Sequence, residues 1–334
     1  MELKLIPEDV RKKLLEQSLL GKEEVEARLK SALAPSYWRE LAPWLQLDAG
    51  PSAELLESPP IDTPTQGEHL EQLAREGYFQ TKPIMAAPAI ESMRRAVEIL
   101  LQKSWHPVFA FVYDAFWLAM RAPSLMQILS GALGSSFLQI PHHIWTYYIH
   151  PIKGASGWPP HADGAGKDQR VNVWVPLSDA TLYNGCMYVI PKDQAPAFDL
   201  RKQDTFGRAE MTAMLQGTRA VPAEAGSLLC WDFNVIHWGA KFRKGQPRIS
   251  FSAEFIAKNA QASEEELPLM DVIPKPPPFP DRLHAIGRAL LLYAEPGAFR
   301  FRDLATRLLE CTENPAKFDC GTPPLVDQRF QIAK

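Results

Sequence analysis

The stretch Arg170-Val-Asn-Val-Trp-Val175 constrains the fold more than any other. On a strand its side chains alternate, so Val171, Val173 and Val175 share one face while Asn172 and Trp174 share the other. An aliphatic face calls for a packed core beneath it, and an amide beside an indole calls for something polar above. Four further stretches read the same way: His143 to His150, Cys186 to Ile190, Ser227 to Trp231 and Arg248 to Phe255. In the first of them His143, Trp145 and Tyr147 share a face. Asn184-Gly185 is a strong hairpin signal and is expected to return the chain from the 170–175 strand into 186–190. Short antiparallel strands at this spacing predict a mainly β protein with flanking helices (α+β). Its core is expected to be a double-stranded β-helix, a cupin-like jelly roll of roughly eight main strands.

Helical periodicity brackets these strands. Residues 7–33 carry it, with Pro7 suited to a first turn, and residues 43–66 read as a proline-rich connection. A helix around Leu70 to Glu76 is expected to stop at Gly77 and give way to a strand from Tyr78 to Ile84. Residues 88–103 form an amphipathic helix, and Phe109 to Met120 and Ala122 to Leu133 read as two buried ones. After the strands come a polar excursion at 196–218, a Pro274 to Pro280 linker, and helices from Asp281 to Tyr293 and from Arg302 to Cys311. The expected organisation is an N-terminal helical extension (1–65), a core domain (66–257), and a C-terminal linker and helical tail (258–334).

Composition excludes several classes. With 36 basic against 39 acidic residues the net charge is −3, which argues against nucleic acid as a partner. The four cysteines (Cys186, Cys230, Cys311 and Cys320) form no C-x-x-C pair and read as ordinary reduced thiols, so a disulfide framework is not expected. The most apolar stretch, Pro107 to Met120, is too short to span a bilayer and contains Asp114. The first ten residues lack a charged segment followed by an apolar one, so the reading is a cytoplasmic protein without a membrane partner.

The chemistry-bearing motif is Trp158-Pro-Pro-His-Ala-Asp-Gly164. Residues two apart on a strand point the same way, so His161 and Asp163 can grip one ion from one side. Roughly one such His-x-acid pair is expected by chance in a chain of this composition, so the context decides. Ala225 to Ala240 supplies it: an apolar run delivers His237, Lys244-Gly245 turns the chain, and Arg248 opens a new alternating strand. Two histidines and one carboxylate with three open positions form the facial triad of non-haem Fe(II) oxygenases. Arg suits the far carboxylate of a dicarboxylate cosubstrate because its fork binds bidentately.

At these residues the chain resembles the phytanoyl-CoA dioxygenase family of Fe(II)/2-oxoglutarate oxygenases. The resemblance lies in His161-Ala-Asp163, in Asn184-Gly185-Cys186 with Val189-Ile190-Pro191, in Gly226-Ser-Leu-Leu before His237, and in Arg248 eleven residues beyond it. Glu68 to Ile84 is similar to the family's opening helix and strand, so the likeness runs over about 66–257. It implies Fe(II) on His161, Asp163 and His237, with 2-oxoglutarate as cosubstrate and O2 as oxidant. It implies Arg248 on the distal carboxylate, helped by Ser250, and Trp174, Tyr147 and Asn172 lining the cosubstrate or substrate space. The implied reaction hydroxylates, or otherwise oxidises, a small or medium organic molecule and releases succinate and CO2. A retained Asp163 favours hydroxylation over halogenation.

Two positions depart from the family pattern. Pro191-Lys192-Asp193-Gln194 stands where Pro-Gly-Ser-His is usual, and Gly239 stands where a small hydroxyl residue is frequent two places after the distal histidine. Lys192, Arg201, Lys202 and Arg208 offer a basic patch for a CoA thioester, while Trp145, Trp158 and Trp238 suit an apolar or ring-bearing substrate. The alternative is a non-catalytic, cupin-like protein that binds a metal or small ligand. It would keep His161, Asp163 and His237 and have no use for Arg248.

Overall fold

The computed structural model describes residues 19–48, 61–164, 167–194, 207–273, 275–293 and 295–313. The expected helix over 7–18, the proline-rich 49–60, Arg201, Lys202 and Cys320 lie outside them. In chain order the elements before the sheets are α1 (Lys22–Leu33), α2 (Pro35–Leu41) and α3 (Thr63–Glu76). They are followed by β1 (Tyr78–Gln80), α4 (Ala87–Gln102), a 3-10 helix (Pro107–Val112), α5 (Asp114–Ala119) and α6 (Pro123–Leu133).

The strands that build the body are β2 (Leu138–Ile149), β3 (Arg170–Pro176) and β4 (Met187–Ile190), then α7 (Arg208–Gly217) and β5 (Arg219–Val221). After these come β6 (Leu229–Asp232), β7 (Ile236–Gly239), β8 (Arg248–Ile256) and β9 (Met270–Asp271). Three helices close the described chain: α8 (Phe279–Leu292), α9 (Pro296–Phe299) and α10 (Arg302–Glu313).

The strands form an antiparallel double-stranded β-helix. One sheet has six strands in the order β1-β6-β3-β8-β2-β9, and the other has three, β5-β4-β7. From β3 onward the chain shuttles between them: β4 and β5 lie in the small sheet, β6 in the large, β7 in the small and β8 in the large. An isolated bridge from His161 to His237 adds a vestigial fourth strand to the small sheet. This interleaving is the jelly-roll winding that the alternation predicts.

The alternation also explains what covers each face. Val171, Val173 and Val175 are all buried, with Phe251, Ala253 and Phe255 of β8 paired beside them on the same face. The helices pack here: Phe251 lies 5.1 Å from the ring of Phe116 and 6.1 Å from that of Phe111. Burying a phenyl ring this completely contributes roughly 1.5–3 kcal/mol. The opposite face of the large sheet carries Trp174, Leu229 and Trp231, which pack against Met187 and Val189 of the small sheet.

The helical surroundings share this one core. Residues from Leu20 to Cys311 belong to a single apolar cluster. Arg282 of α8 pins it with charge, donating to Asp114 Oδ1 at 2.6 Å, to the Val112 carbonyl at 2.7 Å and to Asp48 Oδ1 at 3.0 Å. Arg282 and Asp114 are both almost fully buried. This knot corrects the expected single helix from Phe109 to Met120. The backbone leaves the helix at Tyr113 (φ −88°, ψ 144°), and the Asp114 N–H turns to the Gln46 carbonyl.

Two other boundaries move for local reasons. Helix α3 begins at Thr63, inside the expected connection, because Asp62 caps it by accepting from Thr65 N at 2.9 Å and Pro64 fits the first turn. It ends at Gly77 as expected (φ +79°). The Asn184-Gly185 turn is not a hairpin between β3 and β4, since those strands lie in different sheets. Asn184 instead staples a longer loop, accepting from Thr181 N at 2.6 Å and donating to the Asp179 carbonyl at 2.8 Å and the Gln246 carbonyl at 3.2 Å. Gly185 then steps the chain across to the small sheet at φ +99°, with the Ala240 carbonyl 2.7 Å from where a Cβ would stand. Gly185→Ala should therefore destabilise the fold by about 1–3 kcal/mol, read from the urea midpoint at unchanged slope. A midpoint equal to that of the parent protein would contradict this account of the crossing.

Candidate metal centre

The His161–His237 bridge brings the site together. His161 N donates to the His237 carbonyl at 3.1 Å and His237 N to the His161 carbonyl at 2.9 Å, which sets the two rings 4.3 Å apart. Asp163 follows in a bend whose Gly164 N–H donates to the Phe233 carbonyl at 3.1 Å. The carboxylate thus arrives by a bend rather than a continuing strand, yet on the expected side. Oδ1 of Asp163 stands 3.5 Å from His161 Nε2 and 3.6 Å from His237 Nε2. Among the described residues this is the one cluster of three His, Cys, Asp or Glu groups whose donor atoms all lie within 4.8 Å of one another.

Every atom of the three that does not converge is tied down. His161 Nδ1 faces the Pro159 carbonyl at 2.8 Å and His237 Nδ1 faces the Val235 carbonyl at 3.0 Å. A carbonyl can only accept, so both Nδ1 atoms carry the proton and both Nε2 atoms present a lone pair. Asp163 Oδ2 accepts from Trp231 Nε1 at 2.8 Å and from Asn172 Nδ2 at 3.2 Å, which leaves Oδ1 free. Burial pushes the His237 imidazole down to about 4, so it is neutral at physiological pH. Burial works against charge on Asp163, but the two imidazoles and the Trp231 indole outweigh it and hold the carboxyl well below its ordinary range. The donor set of two imidazoles and one carboxylate suits a non-haem Fe(II) ion.

Arg248 lines the cavity beside this cluster, as do Tyr147, Trp158, Trp174 and Met187. It is 1% exposed, and burial pushes its guanidinium down only to about 10, so it stays charged. No carboxylate among the described residues pairs with it. One terminal nitrogen contacts Met187 Sδ at 3.2 Å, and its Nε has no protein partner. Ser250 Oγ and Trp174 Nε1 are likewise buried without one. A buried cation surrounded by unused donors fits a bound dicarboxylate, because the alternative leaves several kcal/mol of desolvation unanswered.

The inner face places the remaining expected residues. Asn172 pairs across the sheet with Trp231 on one side and Glu254 on the other, while Trp174 pairs with Ser252 and Tyr147 with Ser250. Two other histidines, on β2, are engaged elsewhere: His143 meets Glu254, and His142 Nε2 meets the Glu265 carbonyl at 2.7 Å. The glycine at 239 has a steric cause: a Cβ there would stand 2.9 Å from the Gly157 backbone, against which it packs in front of Arg248. The Pro191 to Gln194 turn serves the surface, with Lys192 Nζ donating to Asp232 at 3.0 Å. Trp231 is the functional residue that sequence reasoning passed over. Its register opposite Asn172 on an alternating strand was the available signal.

A jelly roll carrying two imidazoles, a carboxylate and a neighbouring buried arginine defines a facial-triad oxygenase by class. Residues 60–250 match the model of the phytanoyl-CoA dioxygenase (PhyH) family, over half of the chain, and the chain belongs to that family. It is a 2-oxoglutarate-dependent non-haem iron oxygenase. No curated protein matches the sequence.

Among solved structures it is similar to a non-haem monooxygenase, ThoJ, at 16% identity and a TM-score of 0.50, over 72% of this chain and 98% of that one. It is also similar to SnoN, the α-ketoglutarate-dependent epimerase from nogalamycin biosynthesis, at 16% identity and 0.48, over 59% and 82%. A third is EctD from S. alaskensis with bound Fe, at 17% and 0.48, over 64% and 85%. Likeness at this identity speaks to the fold alone.

The double hold on Asp163 makes a prediction. Trp231→Phe and Asn172→Ala should each weaken Fe(II) binding by roughly 10- to 100-fold, the range for removing an outer partner of a metal ligand. Anaerobic titration calorimetry measures it, and an affinity within a factor of two of the parent would show that Oδ2 needs no fixing.

Proposed function

We propose that this protein uses Fe(II), 2-oxoglutarate and O2 to hydroxylate an unactivated C–H bond of a small or medium organic molecule, releasing succinate and CO2. The observation that carries the reading is the pairing of a convergent His161, Asp163 and His237 donor set with a buried Arg248 whose Nε has no protein partner. Residues 66–257 are assigned to the oxygenase core, and the flanking segments to its packing.

In this reading His161 Nε2, Asp163 Oδ1 and His237 Nε2 hold the metal from one side. When bound, the iron supplies activation of O2 coupled to loss of CO2 from 2-oxoglutarate; one oxygen atom enters succinate and the other the substrate. The protein's part is positional and electrostatic. The Pro159 and Val235 carbonyls keep the imidazoles in the binding tautomer, and Trp231 and Asn172 aim the carboxylate. Arg248 takes the distal carboxylate of the cosubstrate through its fork, with Ser250 Oγ within the same cradle and Trp174 and Tyr147 as its walls. Asn172 acts through Asp163. Burial of Arg248 keeps water from competing for the carboxylate, so the ion pair is worth more than a surface one. A binding protein without turnover has no use for that arginine, which weighs against the alternative.

Anaerobic addition of Fe(II) and 2-oxoglutarate should produce the weak visible charge-transfer band of a bidentate 2-oxo acid on iron. His237→Ala should lose both iron and band. Arg248→Met should keep the iron while 2-oxoglutarate affinity falls by roughly 10- to 100-fold, as for losing a hydrogen bond to a charged group. Iron loss of equal size in both variants would remove Arg248 from the cosubstrate role, and no band in iron-loaded protein would favour the non-catalytic alternative.

A further inference from the structure

Beside Asp163 lies a second carboxylate that does not belong to the convergent cluster. A primary amide nitrogen carries two protons, and that of Asn172 has two carboxylate acceptors: Asp163 Oδ2 at 3.2 Å and Glu254 Oε1 at 3.3 Å. Glu254 stands on β8, buried and paired across the sheet with Asn172. Its other oxygen, Oε2, meets His143 Nδ1. His143, Glu254 and Asn172 thus form one chain of contacts that ends on Asp163. The strand β2 is irregular at the start of that chain. Ile140 lies opposite Glu254 and Ile144 opposite Ala253, so residues 141–143 form a bulge, from which His143 meets Glu254. His142 secures the bulge through its Nε2, 2.7 Å from the Glu265 carbonyl. Bulges beside a functional site commonly re-aim a side chain.

The two carboxylates together decide which way the amide faces. Turned over, Asn172 would set Oδ1, an acceptor, against two carboxylate oxygens. The orientation it holds has its own cost, because Oδ1 is buried without a protein partner. Asp163 supplies one charge-assisted bond against that cost, and Glu254 supplies the second. Burial works against charge on His143, but the Glu254 carboxylate outweighs it and lifts the imidazole above its ordinary value. That attraction braces Glu254 in turn.

We propose that Glu254, braced by His143, is a positioning residue for the metal centre: it holds the Asn172 amide with both N–H groups toward the carboxylates and so keeps Asp163 Oδ1 turned to the imidazoles. The proposal rests on the oxygenase reading above and adds to it a contribution from β8 and the β2 bulge. Glu254 does not line the cavity beside the cluster, and its side-chain bonds go to His143 and Asn172. Its effect on the ion therefore passes through Asn172.

The test is a double-mutant cycle on the full chain, read as anaerobic Fe(II) affinity by titration calorimetry. Glu254→Met, which keeps the length and removes both acceptors, should weaken Fe(II) binding by about tenfold, and by no more than Asn172→Ala does. Glu254→Gln, which keeps an acceptor oxygen for the amide without the charge, should stay within about threefold of the parent. In the Asn172→Ala background, Glu254→Met should change the affinity by less than about twofold. An ion pair that serves only the fold predicts the same loss in both backgrounds. Direct attraction between Glu254 and the ion predicts that Glu254→Gln falls as far as Glu254→Met. Either result, or parent-like affinity in Glu254→Met, would overturn the positioning role while leaving the oxygenase reading intact. If Glu254→Met does not fold, His143→Ala takes its place in the cycle, with a loss of about threefold expected in the parent background and none beside Asn172→Ala. Equal loss in both backgrounds, or loss in neither, would again overturn the role. A parent protein that binds no Fe(II) would overturn the oxygenase reading, and this proposal with it.

Discussion

Asp163 commits one oxygen to the protein and leaves the other facing both imidazoles, and the architecture of the site follows from that division. Trp231 and Asn172 reach Oδ2 only because β6 and β3 are neighbours in the large sheet with these residues paired across them. The loop that brings Asp163 within reach is held by the reciprocal backbone bonds between His161 and His237. A vestigial strand and a well-formed sheet thus meet at one carboxylate, each contributing what the other lacks. The same logic fixes the imidazoles, whose Nδ1 protons face main-chain carbonyls that no side-chain substitution can remove.

The two faces of the large sheet do opposite work. Its outer face is mostly aliphatic and aromatic and is where the helices gain their stability. Its inner face mixes indole, amide, hydroxyl, guanidinium and carboxylate, a composition that would be costly to bury without partners. Several of those groups have none in the protein: Trp174 Nε1, Asn172 Oδ1, Arg248 Nε and Ser250 Oγ. The hydrophobic face stabilises the fold, and the polar face is left under strain that bound small molecules can relieve. That separation of stability from function is possible because strand alternation puts the two jobs on adjacent residues.

Much of this was legible in the sequence. Val171 to Val175 announced which way β3 faces, and His161, Asp163, His237 and Arg248 stood at spacings that placed them together. Other features were not legible because they depend on packing between distant segments. Asn184-Gly185 looked like a hairpin since local chemistry cannot say whether the next strand joins the same sheet or the facing one. The apolar run from Phe109 to Met120 looked like one helix since nothing local reveals that Arg282, far along the chain, will claim the Val112 carbonyl and Asp114. Gly239 looked like a missing hydroxyl until the backbone of Gly157 was seen against it.

The Arg282 knot has a further meaning for how the chain can be divided. Its partners Asp48, Val112 and Asp114 lie before, within and at the edge of the helical layer, while Arg282 itself comes after the last jelly-roll strand. Cutting the chain at the C-terminal end of the family-matched span would take Arg282 away from the buried Asp114, an outcome far costlier than losing an exposed contact, and cutting at its N-terminal end would take away Asp48. The span that carries the family's signature is therefore not a portable module here. Recombination, truncation or grafting at those boundaries would disturb the buried cluster around Arg282, so the flanks and the core have to be inherited together.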